Sequence, residues 1–188
     1  MPPPLRRQSR RAWLRQGVLG LAAATVSWRV AAAPTPADPP GLDGARLRPW
    51  PQARSLAPLE LPTLDGRTMT WAAFRGRLLL LNFWATWCPP CRAEMPTLAA
   101  LPQVLGEDRV AVLAVNFRES ARTVRAYLAR SGVDVAVAFD STGGFTQAMG
   151  VQAFPTTILI DRQGRPLWLI EGEVDWSQPK VLRWIEAL

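Results

Sequence analysis

The segment from Leu78 to Leu105 constrains this chain more than any other. Leu78 to Trp84 reads Leu-Leu-Leu-Leu-Asn-Phe-Trp, a short apolar run that predicts a buried β-strand. Cys88-Pro-Pro-Cys91 follows, and Pro89 to Leu105 has the mixed polar and apolar pattern of an amphipathic helix. Cysteines at a strand-to-helix junction lie where helix N–H groups stabilise a thiolate. The segment therefore predicts a redox-active thiol pair.

Three other roles for Cys88 and Cys91 compete with this interpretation. A structural disulfide would add little stability, because closing so small a loop removes little entropy from the unfolded chain. A zinc site needs about four Cys or His ligands, and the chain has no histidine and no further cysteine. Two ordinary free thiols fit poorly with a chain that begins like an exported protein. We therefore predict redox chemistry and no metal site.

Residues 1–33 resemble an export signal. Five arginines and no acid precede Gly17, an apolar stretch runs from there to Trp28, and residues 31–33 are three alanines suited to cleavage. Residues 9–15, Ser-Arg-Arg-Ala-Trp-Leu-Arg, resemble the twin-arginine motif. We expect export to the periplasm by that route. An uncleaved signal acting as a membrane anchor stays open, because Pro34 is awkward directly after a cut at Ala33.

The net charge of +7 arises almost entirely in this signal. Six of the 22 basic residues and none of the 15 acidic ones lie in residues 1–33, so the remainder of the chain is close to neutral. A nucleic-acid partner requires a basic patch, and we expect no such partner.

Residues 34–58 contain seven prolines and predict a semi-rigid linker. Residues 59–188 then predict one domain with one core. Asp65-Gly66 and residues 162–165 each mark a hairpin. Alternating strands and helices, followed by the second hairpin and a closing helix, predict an α/β sandwich with a mixed sheet. The predicted strands are 59–64, 67–70, 78–84, 110–116, an edge strand at 135–139, 156–161 and 166–171; the predicted helices are 89–105, 121–130, a short one near 146, and 178–188.

Two segments together carry a family resemblance. Residues 82–96, Asn-Phe-Trp-Ala-Thr-Trp-Cys-Pro-Pro-Cys-Arg-Ala-Glu-Met-Pro, resemble the active-site segment of the thioredoxin superfamily, and more narrowly of the exported TlpA/ResA-type thiol-disulfide oxidoreductases. Residues 150–161, which contain Phe154-Pro155-Thr-Thr, resemble the cis-proline loop and following strand of that family. The resemblance implies a thioredoxin-like three-layer sandwich with a central mixed sheet and an N-terminal hairpin extension.

The same resemblance implies roles for individual residues. Cys88 would be the exposed nucleophile and Cys91 the resolving thiol, with no cofactor beyond their redox-active disulfide. Pro155 would be cis, and the backbone of Phe154 would pair with an extended client segment. Trp87 would add apolar docking surface, whereas Trp84 fits either the docking surface or the core.

Two departures from cytosolic thioredoxin affect the predicted chemistry. Asn82 stands where that protein has a buried aspartate, and an amide cannot shuttle a proton. Glu94, on a neighbouring face of the helix from Cys91, is a candidate proton relay, although a solvated helix glutamate is an equal alternative. Pro89 and Pro90 withhold two N–H donors from a Cys88 thiolate, which favours the disulfide form and predicts a reductant rather than an oxidant.

A periplasmic reductant needs a membrane thiol-disulfide carrier as its electron donor. The family resemblance implies client proteins with disulfides, such as those of cytochrome c or copper-site maturation. The alternatives are a DsbA-like disulfide oxidase, a thiol peroxidase, and a non-catalytic copper- or haem-handling chaperone that would use the cysteine pair to hold Cu(I).

Overall fold

The computed structural model describes residues 39–188, and the predicted export signal lies outside them. The elements follow the predicted order closely, with each helix ending within two residues of its expected position. A 3-10 helix covers Trp71–Phe74. The strands are β1 Arg46–Pro49, β2 Leu61–Pro62, β3 Thr68–Met69, β4 Leu78–Trp84, β5 Val110–Phe117, β6 Ala136–Asp140, β7 Thr156–Ile160 and β8 Pro166–Glu171; the helices are α1 Pro89–Leu105, α2 Ala121–Ser131, α3 Gly144–Ala148 and α4 Pro179–Ala187.

Six strands form one mixed sheet in the order β1-β8-β7-β4-β5-β6. The strands β4, β5 and β6 are parallel to one another, while β7, β8 and β1 pair antiparallel. All seven residues of β4 are buried, as expected of a central strand covered on both faces. The predicted mixed sheet, with β6 at its edge, is confirmed.

Successive residues of β4 enter two different cores, because side chains alternate across a strand. Leu80 and Trp84 join a cluster with the apolar faces of α1, α2 and α4. Leu81 and Phe83 join a second cluster with α3, the 3-10 helix and the segment around Trp50. The sheet is therefore the middle of three layers, as predicted.

The chain entering the domain differs from the predicted linker. Arg46–Pro49 forms edge strand β1 on β8, and the following Trp50 is only 6% exposed. The backbone N–H of Trp50 donates to Leu167 O at 2.9 Å. Proline is compatible with an edge strand, since that edge needs no N–H donor. The linker prediction is therefore wrong for residues 46–50. The high proline content of residues 34–58 indicated a linker, and the short strand within them was not recognised.

The N-terminal hairpin extension is present as a separate pair of strands, β2 and β3. Gly66, at φ 81°, provides the left-handed residue that its turn requires. Thr63 bridges Ala138 of β6, so the hairpin lies beside the edge of the main sheet. Among residues 39–188, no helix is both long enough and apolar enough to cross a membrane.

Candidate functional site

The two cysteines form a disulfide at the start of α1, with their Cα atoms 5.3 Å apart. Cys88 is the N-cap residue, and its sulfur accepts a hydrogen bond from the backbone N–H of Cys91 at 3.3 Å. Cys88 is 4% exposed and Cys91 is fully buried. Cys88 is therefore not exposed as the resemblance implied, and it is only the more accessible of two buried sulfurs in the disulfide form.

The peptide bond between Phe154 and Pro155 is cis, as predicted. Pro155 is buried and directly precedes β7, which pairs with β4 so that Thr156 lies opposite Phe83. The carbonyl of Pro155 accepts from the N–H of Gly172 at 2.9 Å, which ties this loop to the end of β8. Pairing of β7 with β4 thus brings the loop to the end of the sheet that carries the cysteines.

The two tryptophans near the cysteines have different environments. Trp87 is 59% exposed and meets the ring of Phe154 edge-on, with ring centres 5.9 Å apart. Trp84 is fully buried and packs against Tyr127 at 5.2 Å. The structure therefore brings the predicted docking residues Trp87 and Phe154 together and places Trp84 in the core.

Glu94, three residues after Cys91 on α1, is buried and is not a solvated surface residue. Its Oε1 accepts from Asn82 Nδ2 at 2.7 Å, and its Oε2 accepts from the backbone N–H of Val174 at 3.0 Å. Asn82 Nδ2 also donates to Thr157 Oγ1 at 2.9 Å, so the network joins β4, β7 and α1. Asn82, which departs from cytosolic thioredoxin, is therefore the direct partner of the candidate relay.

Burial raises the pKa of the Glu94 carboxyl from 4.5 to about 8. The Val174 N–H and the Asn82 amide favour the carboxylate, so they lower the pKa, but they offset the cost of burial only in part. The neighbouring Glu173 charge adds to the increase. At neutral pH the carboxyl is therefore largely protonated, and only its minor carboxylate form can accept a proton.

Glu119 holds the loop before Cys88, a contact that the sequence analysis missed. Its carboxylate accepts from the Thr86 backbone N–H at 2.7 Å and from Thr86 Oγ1 at 2.5 Å. It also accepts from Asn116 Nδ2 at 2.8 Å. Glu119 follows β5, whose carboxyl end meets the carboxyl end of β4 because the two strands are parallel. The position of Glu119 just after a strand was the sequence signal that could have revealed its contact with Thr86.

An aromatic strip, formed by Trp87, Phe154 and Phe117, was also missed in part. Phe117 ends β5, and its ring lies 5.0 Å from that of Phe154. Phe117 and Phe154 are half-buried, so the strip is open to solvent along its length. Within the described range 39–188, no three His, Cys, Asp or Glu side chains are grouped closely enough to hold a metal ion.

Known proteins resemble this chain in both sequence and fold. The thiol-disulfide oxidoreductase ResA of Geobacillus thermodenitrificans is 37% identical over 112 residues, which cover 60% of this chain and 64% of that protein. The ResA of Geobacillus kaustophilus is 35% identical over 128 residues, or 68% of this chain and 72% of that protein. The chain therefore covers slightly less than two thirds of the first relative and more than two thirds of the second.

A solved structure shows the same arrangement over nearly its whole length. A protein of Chlorobium tepidum described as a thiol:disulfide interchange protein DsbE superposes with a TM-score of 0.61 at 27% identity. The match covers 70% of this chain and 96% of that one. Residues 48–183, which include the cysteine pair, the cis-proline loop and Glu94, match the redoxin family. The chain belongs to the redoxin family, within the thioredoxin superfamily.

Proposed function

We propose that this protein is a thiol-disulfide oxidoreductase that reduces disulfides in client proteins. The observation that carries the proposal is the Cys88–Cys91 disulfide at the start of α1, at the same end of the sheet as the cis Phe154–Pro155 loop. The names of the ResA and DsbE relatives support the same chemistry.

The reaction consists of two exchanges of a sulfur–sulfur bond. In the reduced protein the Cys88 thiolate attacks a client disulfide, forms a mixed disulfide, and releases one client thiolate. Cys91 then attacks the Cys88 sulfur, which restores the protein disulfide and releases the second client thiolate. The client gains two electrons and the cysteine pair loses them, so the reaction needs no bound cofactor. A second dithiol, carried by a membrane thiol-disulfide protein, must regenerate the reduced pair.

The client would dock along the cis-proline loop. Proline has no N–H, and the neighbouring backbone of Phe154 would pair with an extended client segment, as in β-strand addition. Trp87 offers an exposed apolar face directly before Cys88 and in contact with the Phe154 ring. Trp87, Phe154 and Pro155 would together hold the client disulfide in front of the Cys88 sulfur.

Glu94 would act as the proton relay for Cys91. The Cys91 thiol must lose its proton before it attacks the mixed disulfide. A free thiol has a pKa of about 8.5, and burial brings the pKa of Glu94 to about 8. The small fraction of Glu94 that is ionised at neutral pH would accept this proton, because its pKa lies near that of an unperturbed thiol. Asn82 would hold the carboxyl in position.

Pro89 and Pro90 support a reductant. Both lie at the first two positions of α1, where an ordinary residue would direct an N–H towards a Cys88 thiolate. With fewer donors the reduced state gains less stability, and the reduction potential falls. We expect a potential nearer to about −270 mV, as in thioredoxin, than to about −120 mV, as in DsbA.

We also propose a periplasmic location reached through the twin-arginine pattern in residues 1–33. An uncleaved signal would leave the protein anchored at the membrane. Clients in that compartment would be cysteine pairs that must stay reduced, as in cytochrome c or copper-site maturation. This choice of client follows from the family resemblance.

Equilibration of the purified protein in dithiothreitol and glutathione buffers measures the potential of the cysteine pair. A value above about −180 mV, the region of protein disulfide isomerase, would overturn the reductase and favour the oxidase.

A Cys91→Ser variant expressed in cells would retain clients as mixed disulfides on Cys88. Mass spectrometry of the trapped species then identifies the client class, and a Cys88→Ser, Cys91→Ser double variant is the matched control.

A further inference from the structure

Arg118 lies at the far end of the aromatic strip and has an unusual backbone conformation. Its φ of 56° makes it the one non-glycine residue of the described chain in the left-handed region. Its backbone N–H donates to Asp140 O at 3.1 Å, and its Nε donates to Thr142 O at 2.7 Å. The fold therefore holds the residue in a conformation that an arginine seldom adopts, and such outliers cluster at functional sites.

The guanidinium of Arg118 packs closely against two neighbouring residues, Phe117 and Gly143. It lies over the ring of Phe117, 5.1 Å from the ring centre. Beneath it is Gly143, where an added Cβ would lie 2.6 Å from Arg118 Nε and 2.7 Å from Phe117 Cε2. Only a residue without a side chain leaves room for this arrangement. The guanidinium consequently extends the aromatic strip by one cationic group.

The charge of Arg118 is not neutralised within the part of the chain that the structure describes. The ion pairs found in residues 39–188 involve other cations. Two neighbouring carboxylates already have partners within the fold: Glu119, the next residue in the chain, accepts from Thr86, and Asp140, whose backbone oxygen accepts from the Arg118 N–H, has a carboxylate that accepts from the N–H and Oγ1 of Thr146. With Nε bonded to Thr142 O, the two terminal NH2 groups remain for an external acceptor.

We propose that Arg118 and the aromatic strip form a specificity site for client segments that carry a carboxylate near the reactive cysteine. The proposal rests on the oxidoreductase function proposed above and names the client chemistry of that same site. Cys88 follows Trp87, and contacts of 5.9, 5.0 and 5.1 Å lead from Trp87 through Phe154 and Phe117 to the guanidinium. An extended segment advances about 3.3 Å per residue, so an Asp or Glu within roughly five residues of the client cysteine reaches Arg118.

The test uses pairs of disulfide-bonded peptides that differ by one Glu-to-Gln change at each position within about six residues of a cysteine. The measurement is the ratio of kcat/KM for the Glu peptide to kcat/KM for the matched Gln peptide. For the wild-type protein at low salt we expect a ratio of roughly three to five at the matching position, the range of an exposed ion pair, and a decline towards one as salt is added. Arg118→Gln should bring the ratio to one, and Arg118→Lys should retain part of it.

Arg122→Gln is the matched control, because it removes one exposed arginine from the adjacent α2 and should leave the ratio unchanged. A wild-type ratio of one at every position, or an unchanged ratio in Arg118→Gln, would overturn the proposal. If Arg118→Gln instead changes only self-association in analytical ultracentrifugation, the surface joins copies of this chain and the client assignment is wrong.

A binding measurement separates this inference from the proposed activity. Labelled peptides with serine in place of cysteine cannot undergo exchange, and fluorescence anisotropy reports their affinity for the oxidised protein. Tighter binding of the Glu peptide than of its Gln twin, lost in Arg118→Gln, supports the site even if no peptide disulfide is reduced. Equal binding together with normal reduction would overturn the site and leave the oxidoreductase proposal intact.

Discussion

Replacing Glu94 by Gln should change how the stability of the protein depends on pH. The folded protein holds this carboxyl with a pKa of about 8, compared with an ordinary value of 4.5. Below pH 4.5 the carboxyl is protonated in both folded and unfolded chains. Between these values the unfolded chain releases a proton that the folded chain retains, so the free energy of unfolding falls as pH rises.

The size of the effect follows from the pKa difference. Each pH unit in this window lowers the free energy of unfolding by about 1.4 kcal/mol. Over the whole window the wild-type protein should therefore lose roughly 5 kcal/mol that the Gln variant keeps. The Asn82 amide, whose Oδ1 has no partner in the described structure, can turn over so that this oxygen accepts from the glutamine Nε2, while the glutamine oxygen accepts from the Val174 N–H. The substitution should accordingly preserve the fold.

Urea unfolding of the oxidised proteins at several pH values between 4.5 and 9 tests this reasoning. The disulfide form is used because its cysteines do not titrate. The difference between wild-type and Glu94→Gln unfolding free energies should grow steadily with pH and level off above about 8. Glu186→Gln, which changes an exposed glutamate of α4, is the control and should follow the wild type. Parallel curves for wild type and Glu94→Gln would refute the assigned pKa.

Three further predictions concern the cysteines and the tryptophans. In the reduced protein, Cys88 should be alkylated before Cys91 because it lies outermost at the helix start; mass spectrometry that finds Cys91 labelled first would contradict this order. Trp84→Ala should lower the free energy of unfolding by about 3–5 kcal/mol and Trp87→Ala by less than about 1 kcal/mol, so equal losses in urea titrations would be inconsistent with their burial. Trp50→Ala should cost about 3 kcal/mol, and a neutral result would restore the linker interpretation of this segment.

The order of the elements could be predicted from local patterns. The apolar run of β4, the helix pattern after Cys88 and the turn residues at Asp65-Gly66 depend on side-chain periodicity and on glycine conformation. These are properties of short segments. The strand at residues 46–49 was not predicted, because what defines it is its pairing with β8, whereas the prolines around it are a local signal for a linker.

For the site, the cysteine pair and the cis-proline loop could be predicted from the sequence, because the Cys88-Pro-Pro-Cys91 and Phe154-Pro155 motifs are contiguous. The burial of Glu94, and with it the pKa of its carboxyl, depends on the assembled fold. A glutamate on an amphipathic helix has the same local pattern whether its face meets water or the sheet, and its pKa depends on that burial. The position of the Arg118 side chain likewise depends on packing, since Phe117, Gly143 and Phe154 come from separate segments that meet only when β5, β6 and β7 join β4 in the sheet.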